Sequence, residues 1–305
     1  MSKALEGIRV LDFSRMYAGP FCTMHLAELG AEVIKVELPG GGDAVRTVPP
    51  RTAGLESYIF VILNRGKRGI TLDLGSEVGQ SICRELVSKC DVLVENFTPG
   101  VMDSFGLSYE KLKADNPGLI YASLSGFGHT GPYHSLVAYD TIIQSMGGLI
   151  SVTGHPDSPP TKVGPAIADF LGGTYAVIAI LAALNYRSRT NKGQFVDISM
   201  QDCVWLITAI QFLPNYLLTG QEPEKLGNRQ IELTPFNIYP AKDGYVVIAT
   251  LTVDQWQRFL RVIGREELRN VPQYATQFDR IKHVNEIDAI VEEWTRERTV
   301  DGILS

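Results

Sequence analysis

Asp169 is the residue whose type and setting most clearly suggest chemistry. It lies in VGPAIADFLGGTYA (residues 163–176), where polar chain gives way to a long apolar helix that runs on to Tyr186. Aspartate is a preferred N-cap residue, because its carboxylate accepts hydrogen bonds from the first turn of backbone N–H groups. The same helix terminus also suits a nucleophile, because it stabilises negative charge and a developing oxyanion. The residues alone leave both interpretations open, and Gly172 and Gly173 would give a thioester close access to the backbone.

Other reactive groups have little support in the sequence. No G-x-G-x-x-G follows the first predicted strand, and no Walker A sequence is found. Ser125 lies in SLSGFG, which lacks the first glycine of a nucleophile elbow. Cys22 is expected to fill core space rather than to act as an activated thiol. The histidines show no metal-ligand spacing and the cysteines form no C-x-x-C pair, so no metal site is predicted.

The composition is that of an ordinary globular protein. The 305 residues are 45% hydrophobic and 20% charged, and the formal net charge is −6. This charge makes nucleic acid and anionic membranes poor partners, and no signal peptide is expected. The apolar run after Asp169 is interrupted by Gly172, Gly173, Thr174 and Tyr175, so it is interpreted as a buried core helix rather than a membrane span. Unpaired cysteines favour a reduced, cytoplasmic location.

Strand and helix patterns alternate through the first half of the chain, and these elements must position Asp169. Short β-rich runs predict strands at residues 8–13, 32–38, 70–72, 91–97 and 119–125, with a further strand at 194–200. The alternation predicts an α/β fold with a doubly wound, mostly parallel, Rossmann-like sheet that lacks the dinucleotide fingerprint. Ligands on such sheets bind beyond the carboxyl ends of the strands, so the segments after the strands are candidate binding loops.

The second half of the chain predicts a smaller α+β domain. Residues 1–218 form the predicted large domain, residues 219–229 a polar linker, and residues 230–305 the small domain. The small domain is expected to contain a β-hairpin that turns at Lys242–Gly244, followed by amphipathic helices near residues 254–262 and 285–296.

An ordered series of motifs carries a resemblance to a known family. The motifs are LEGIRVLDFSRMYAGPF (5–21), LGAEVIKVE (29–37), NRGKRGITLDL (64–74), DVLVENFTPG (91–100), YASLSGFGHTGPY (121–133), AYDTIIQSMGG (138–148), the Asp169 segment, and GQFVDISMQD (193–202). Together they resemble the family III CoA-transferases, the group that contains formyl-CoA transferase and the carnitine and bile-acid CoA-transferases. The similarity covers most of residues 5–250.

The resemblance implies covalent catalysis by Asp169, because the matching aspartate is the nucleophile of that family. The carboxylate would attack an acyl-CoA thioester to give a mixed anhydride, and the released thiolate would convert this anhydride to an Asp169–CoA thioester. An acceptor acid would then leave as its CoA ester. The substrates implied are an acyl-CoA and a small carboxylic acid. The resemblance also implies no permanently bound cofactor and an interlocked homodimer.

The resemblance further implies CoA-binding residues in the segments that follow the strands. They are Tyr17, Ala18, Leu72, Leu74, Asn96, Phe97, Thr98, Tyr139 and Asp140, with Tyr139 closest to the thioester. Arg15, Lys67 and Arg68 are the candidate cations for the CoA phosphates, because a polyanion needs convergent positive charge. A solvated basic turn is the alternative interpretation of Lys67 and Arg68.

Several departures from the family pattern leave alternatives open. Formyl-CoA transferase has basic side chains where this chain has Leu38, Ser104 and Val137, and it has a glycine-rich loop that residues 219–305 lack. These differences argue against formyl/oxalate specificity. The racemases of the same family need a histidine where this chain has Tyr139. The segment that returns to the large domain in family members is also not found. A racemase-like enzyme and a truncated, non-catalytic CoA-binding protein are therefore the alternatives.

Overall fold

The computed structural model describes residues 3–51 and 56–305, which divide into two compact units. The first unit contains the chain up to Ile150 together with Lys162–Gln221, and the second contains Ser151–Thr161 together with Glu222–Ser305. The sequence predicted one continuous large domain over residues 1–218. The structure differs because Ser151–Thr161 leaves the first unit before Asp169 is reached.

One parallel sheet forms the centre of the first unit. Its strands are β1 (Arg9–Asp12), β2 (Glu32–Glu37), β3 (Arg68–Thr71), β4 (Val92–Glu95), β5 (Ile120–Ser125) and β6 (Gln194–Ser199). The strand order is β3-β2-β1-β4-β5-β6, and every neighbouring pair is parallel. This order confirms the predicted doubly wound, Rossmann-like fold class. It also creates a crevice at the carboxyl ends of β1 and β4, where the strand order reverses.

Helices connect the strands and cover both faces of the sheet. They are α1 (Ala18–Glu28), α2 (Tyr58–Asn64), α3 (Glu77–Val87), α4 (Val101–Ser104), α5 (Tyr109–Asp115), α6 (Asp140–Met146), α7 (Leu149–Val152), α8 (Ile167–Thr190) and α9 (Met200–Thr219). A short 3-10 helix covers Ala44–Thr47. The two units divide within α7.

The core of the first unit has two layers, one on each face of the sheet. Val92 and Val94 of β4 face the layer that contains α1 and α8, whereas Leu93 faces the layer that contains α3 and α5. All four residues of β4 are buried, as expected for a central parallel strand whose side chains alternate between two covered faces. Each fully buried valine or leucine stabilises the fold by about 1.5–3 kcal/mol. The strands are therefore a rigid base for the loops at their carboxyl ends.

Helix α8 packs closely against α1 and α9 because two of its residues lack side chains. A Cβ atom on Gly173 would lie 2.6 Å from the carbonyl oxygen of Ala18, and one on Gly172 would lie 2.8 Å from Cγ of Met200. The expectation that these glycines open the backbone to a thioester is therefore wrong, since neighbouring helices occupy that space. By length and composition α8 could cross a membrane, but its buried residues face the core of the first unit.

The second unit is built on an antiparallel hairpin and several helices. Its elements are β7 (Phe236–Pro240), β8 (Tyr245–Ala249), α10 (Val253–Val262), α11 (Gln277–Lys282), α12 (Val284–Arg296) and α13 (Val300–Leu304), with 3-10 turns at Glu266–Asn270 and Pro272–Tyr274. The hairpin and the two amphipathic helices lie close to their predicted positions. The buried side chains of Trp256, Leu260, Ile287 and Val291 form the core of this unit.

Candidate active site

The loops after β1 and β4 are joined to each other at the crevice. The backbone N–H of Arg15 donates to Oδ1 of Asn96 at 2.7 Å, and Nδ2 of Asn96 donates back to the carbonyl oxygen of Arg15 at 2.8 Å. Met16 follows with φ of +63°, a left-handed conformation that is uncommon for a residue with a side chain. Its N–H donates to Oδ1 of Asp43, whose other oxygen lies 3.1 Å from the buried ammonium of Lys35. The shape of the loop is thus held by buried polar groups.

The structure places Lys67 beneath the crevice, so the prediction that it contacts a CoA phosphate is wrong. Its ammonium is buried, lies 3.1 Å from Oδ2 of Asp12 and also donates to Oδ1 of Asn64. Burial opposes ionisation of Asp12, but the nearby Lys67 and Lys35 hold the pKa of that carboxyl below its ordinary value. The charge of Lys67 is therefore used within the fold, where it balances a buried carboxylate.

Arg68 is also outside the crevice, for a different reason. It is the first residue of β3, so it lies at the amino end of a strand, whereas the crevice is at the carboxyl ends. Its exposed guanidinium pairs with Glu32 at 2.6 Å. The alternative interpretation of Arg68, as part of a solvated basic turn, fits this position better than phosphate binding.

Asp169 lies in the first turn of α8 but does not cap it. The N-cap residue is Ala166, which has no side-chain oxygen, and Asp169 is three positions further on. The capping carboxylate belongs to α6: Oδ1 of Asp140 accepts a hydrogen bond from the N–H of Ala168 at 2.8 Å. The capping interpretation of Asp169 is therefore wrong, and its carboxylate is left available for chemistry.

The carboxylate of Asp169 is half-buried and has no hydrogen-bond donor among residues 3–51 and 56–305. Burial, and then the negative charge of Asp140, raise its pKa from 3.8 to about 7. Burial and the charge of Asp169 also raise the pKa of the nearby Tyr17. A carboxylate that lacks hydrogen-bond donors and faces another acid is destabilised as an anion. Its conversion to a neutral form therefore lowers its free energy.

Glu95 shows how a buried acid differs when it is part of a network. Burial raises its pKa to about 7 as well, but its side chain interacts with the hydroxyl of Ser123 and accepts a hydrogen bond from the N–H of Phe97 at 2.8 Å. It lines a separate cavity of about 270 Å³ with Tyr109 and Tyr121. Glu95 is thus a satisfied structural acid, whereas Asp169 is not.

Asp169 lines a cavity of about 480 Å³ that combines most of the predicted site residues. The predicted residues found there are Arg15, Tyr17, Ala18, Asn96, Phe97, Thr98, Tyr139, Asp140 and Asp169. The cavity walls also include residues outside the predicted set, among them Met16, Ser125, Gly126, Leu136, Ala166 and Met200. Met200 follows β6 directly, so the rule that ligands lie beyond strand ends was sufficient to indicate it. Leu136 and Ala166 carry no such signal.

A second, smaller cavity of about 160 Å³ is lined by two more of the predicted residues. Leu72 and Leu74 line it together with Phe13, Leu38 and Phe105, and Arg15 and Phe97 line both cavities. The guanidinium carbon of Arg15 lies 5.0 Å from the centre of the Phe97 ring. The two cavities therefore meet at these two side chains, which gives room for an elongated ligand with an apolar end.

This chain is similar to known proteins along nearly its whole length. The family model for CoA-transferase family III matches residues 5–305. The acetyl-CoA:oxalate CoA-transferase of Acetobacter aceti is 42% identical over 292 residues, which cover 94% of this chain and 74% of the relative. The succinyl-CoA–D-citramalate CoA-transferase of Chloroflexus aurantiacus is 40% identical over 302 residues, or 99% of this chain and 75% of the relative.

Solved structures show the same similarity. A CaiB/BaiF family protein from Brucella suis superposes with a TM-score of 0.86 at 41% identity, over 100% of this chain and 81% of that protein. Among the residues that the structure describes, no group of histidine, cysteine and acidic side chains is placed to hold a metal ion. The chain belongs to CoA-transferase family III and is an enzyme of that type, with CoA thioesters as substrates.

Proposed function

We propose that this enzyme moves CoA from an acyl-CoA to a free carboxylic acid, with Asp169 as a covalent nucleophile. The observation that carries the proposal is the state of this carboxylate. It is half-buried at the wall of the large cavity, has no hydrogen-bond donor in the described part of the chain, and has a pKa raised to about 7. A higher pKa makes a carboxylate a better nucleophile, and above pH 7 it is ionised.

The proposed cycle has four acyl exchanges. The carboxylate of Asp169 attacks the thioester carbonyl, which gives a mixed anhydride and a CoA thiolate. The thiolate attacks the aspartyl carbonyl carbon, which releases the donor acid and leaves an Asp169–CoA thioester. The acceptor carboxylate attacks this thioester to form a second anhydride, and the thiolate then attacks the new acyl carbon. The product acyl-CoA leaves and the Asp169 carboxylate is restored, so atoms and electrons balance.

The position of Asp169 favours both the attack and the adducts. Each covalent adduct replaces a poorly solvated anion by a neutral group, which removes the cost of burial and the repulsion from Asp140. The first turn of α8 supplies a positive end of a helix dipole where negative charge develops on the attacked carbonyl. The local structure that raises the pKa of Asp169 thus also lowers the free energy of its acylated forms relative to the free anion.

We further propose that one of the acids is a short dicarboxylate. The names of the two relatives above include succinyl-CoA, D-citramalate and oxalate. Arg15 is the only basic side chain among the described residues that line the large cavity, so it is the candidate to pair with a second carboxylate or with a CoA phosphate. An assay with succinyl-CoA and acetyl-CoA as donors, and oxalate, citramalate and butyrate as acceptors, shows whether dicarboxylates are preferred to a monocarboxylate. It also tests the expectation against oxalate.

Replacement of Asp169 tests the nucleophile. Asp169→Ala is expected to abolish transfer while CoA still binds, and hydroxylamine added to the wild-type enzyme with acyl-CoA should yield a hydroxamate on Asp169 in peptide mass spectrometry. Asp202→Ala is the matched control, because Asp202 is an exposed acid at the equivalent position of α9. Retained transfer in Asp169→Ala would refute the proposal.

The racemase and non-catalytic alternatives have distinct outcomes in the same assays. Exchange of the α-proton with deuterated water in the absence of an acceptor acid would identify a racemase, although Tyr139 stands at the place of the required base. CoA binding without any transfer across the acid panel would identify a binding protein.

We also propose that the enzyme is a cytoplasmic homodimer. The support for a dimer is an apolar exposed surface on α8 and α9, which contains Ile178, Trp205, Ile210, Leu217 and Leu218. Light scattering coupled to size-exclusion chromatography measures the assembly state directly, and a monomer at micromolar concentration contradicts the proposal. A cytoplasmic location stays a prediction from composition.

A further inference from the structure

Gln144 is a fully buried polar side chain that the reaction itself does not use. It lies one turn after Asp140 on α6 and has no exposed surface. A buried amide is costly unless both of its ends are hydrogen-bonded. Nε2 of Gln144 donates to Oδ2 of Asp140 at 2.6 Å, and Oε1 accepts from the N–H of Val163 at 2.9 Å. Nε2 also lies 3.4 Å from the carbonyl oxygen of Pro165.

The partners of Gln144 surround the segment that leads into the nucleophile. Val163 and Pro165 belong to the segment directly before α8, and the second oxygen of Asp140 accepts from the N–H of Ala168. Gln144 and Asp140 together therefore hold three backbone positions between residues 163 and 168. The next residue is Asp169.

The orientation of the Gln144 amide is determined by these partners. If the amide were reversed, its oxygen would face a carboxylate oxygen and its NH₂ group would face a backbone N–H, so both contacts would be repulsive. The donor that reaches Asp140 also stabilises the negative charge there. Asp140 and Tyr17 are the titratable groups that act on or respond to the charge of Asp169, and Arg15 is the cation of the same cavity.

We propose that Gln144 is a positioning residue for the nucleophile. Through Asp140 and Val163 it fixes the start of α8, and with it the place of the Asp169 carboxylate relative to a bound thioester. The inference rests on the proposed role of Asp169. It predicts that loss of the Gln144 amide slows acylation without weakening CoA binding, because the loops after β1 and β4 that face the crevice are held by other contacts.

The test is the Gln144→Met variant, which keeps the volume of the side chain and removes both hydrogen bonds. A displacement of the carboxylate by about 1 Å is expected to lower kcat by roughly 10- to 100-fold, with KM for acyl-CoA within about twofold of the wild type. Hydrogen exchange at residues 163–168 should become faster. Because Gln144 acts partly through Asp140, the loss of kcat in the double variant with Asp140→Asn should be smaller than the product of the two single losses.

Controls keep the result specific. Gln277→Met removes a half-buried glutamine in the second unit, where its amide contacts Thr234 and Arg280, and should leave kcat unchanged. If Gln144→Met does not fold, Gln144→Glu keeps the oxygen that faces Val163 but places a second carboxyl group against Asp140, and kcat should again fall.

The outcomes distinguish the inference from the proposed function. Hydroxamate at Asp169 in the wild type, together with unchanged kcat in the Gln144 variants, would overturn the positioning role and leave the nucleophile intact. Equal losses in kcat and in CoA binding, or additive effects with Asp140→Asn, would also overturn it. If Asp169→Ala still transfers CoA while Gln144→Met shows faster hydrogen exchange at residues 163–168, the role of Asp169 as nucleophile is refuted. The structural contact made by Gln144 is then still supported.

Discussion

Replacement of Asp169 by asparagine should stabilise the folded enzyme at alkaline pH. The rise of the Asp169 pKa from 3.8 to about 7 is roughly a thousandfold change in proton affinity, which corresponds to about 4 kcal/mol. Because the carboxylate is half-buried, screening by water reduces the expected effect to about 2 kcal/mol. Asparagine has nearly the same shape and carries no charge, so it removes this cost.

The sign of the effect follows from linkage. An acid whose pKa is raised by folding destabilises the folded state only when it is ionised, so the cost is absent below pH 3.8, grows up to about pH 7 and is constant above. The difference in free energy of unfolding between Asp169→Asn and the wild type should therefore be about 2 kcal/mol at pH 8 and less than half of that at pH 5.

Urea unfolding followed by circular dichroism at the two pH values measures this difference. Asp202→Asn provides the comparison, because Asp202 occupies the equivalent position in α9 but is exposed. Its removal should cost about 0.3–1 kcal/mol through loss of a favourable helix-dipole interaction, so the two substitutions should have opposite signs. The reasoning would be refuted by an Asp169→Asn variant that is less stable than the wild type at pH 8. It would also be refuted if the difference in free energy of unfolding were the same at both pH values.

Three further predictions concern the surroundings of the nucleophile. Asp140→Asn should move the pH midpoint of single-turnover acylation of Asp169 down by about one unit but not to 4, because burial is the larger cause of the raised pKa; an unchanged midpoint contradicts this. Lys67→Met should lower the free energy of unfolding by about 3–5 kcal/mol, since Asp12 loses its partner. KM for acyl-CoA should be unchanged in the folded enzyme, and a raised KM would support a phosphate-binding role for Lys67. Gly173→Ala should lower the free energy of unfolding in urea by about 1–3 kcal/mol, because the added carbon would lie 2.6 Å from a carbonyl oxygen of α1. An unchanged urea midpoint would contradict this, since it would mean that α1 and α8 move apart without cost.

The sheet was predictable because its signals are local. Runs rich in valine, isoleucine and leucine predict strands, and the alternation with helices predicts parallel pairing, which the order β3-β2-β1-β4-β5-β6 confirms. The loops after β1 and β4 were predictable for the same reason. Residues 15–18 after β1 and residues 96–99 after β4 line the large cavity.

The parts that were predicted wrongly depend on partners far away in the chain. Lys67 is buried because Asp12, 55 residues earlier, needs a counter-charge, and no local pattern indicates this pairing. Asp169 was a reasonable N-cap from its neighbours, but Asp140 of another helix supplies the capping oxygen. A residue in a typical N-cap setting does not cap the helix when a side chain distant in the sequence accepts the same hydrogen bonds. Local propensity does not indicate which distant side chain this will be.

The capping of α8 by Asp140 also controls when the reactive group comes into existence during folding. Asp140 precedes Ala168 by 28 residues, so the contact that secures the first turn forms only after α6 has packed against α8. In a nascent or partly unfolded chain, Asp169 is an ordinary solvated acid with ordinary reactivity. A transplanted α8 segment, which lacks α6, would not keep this contact at its first turn.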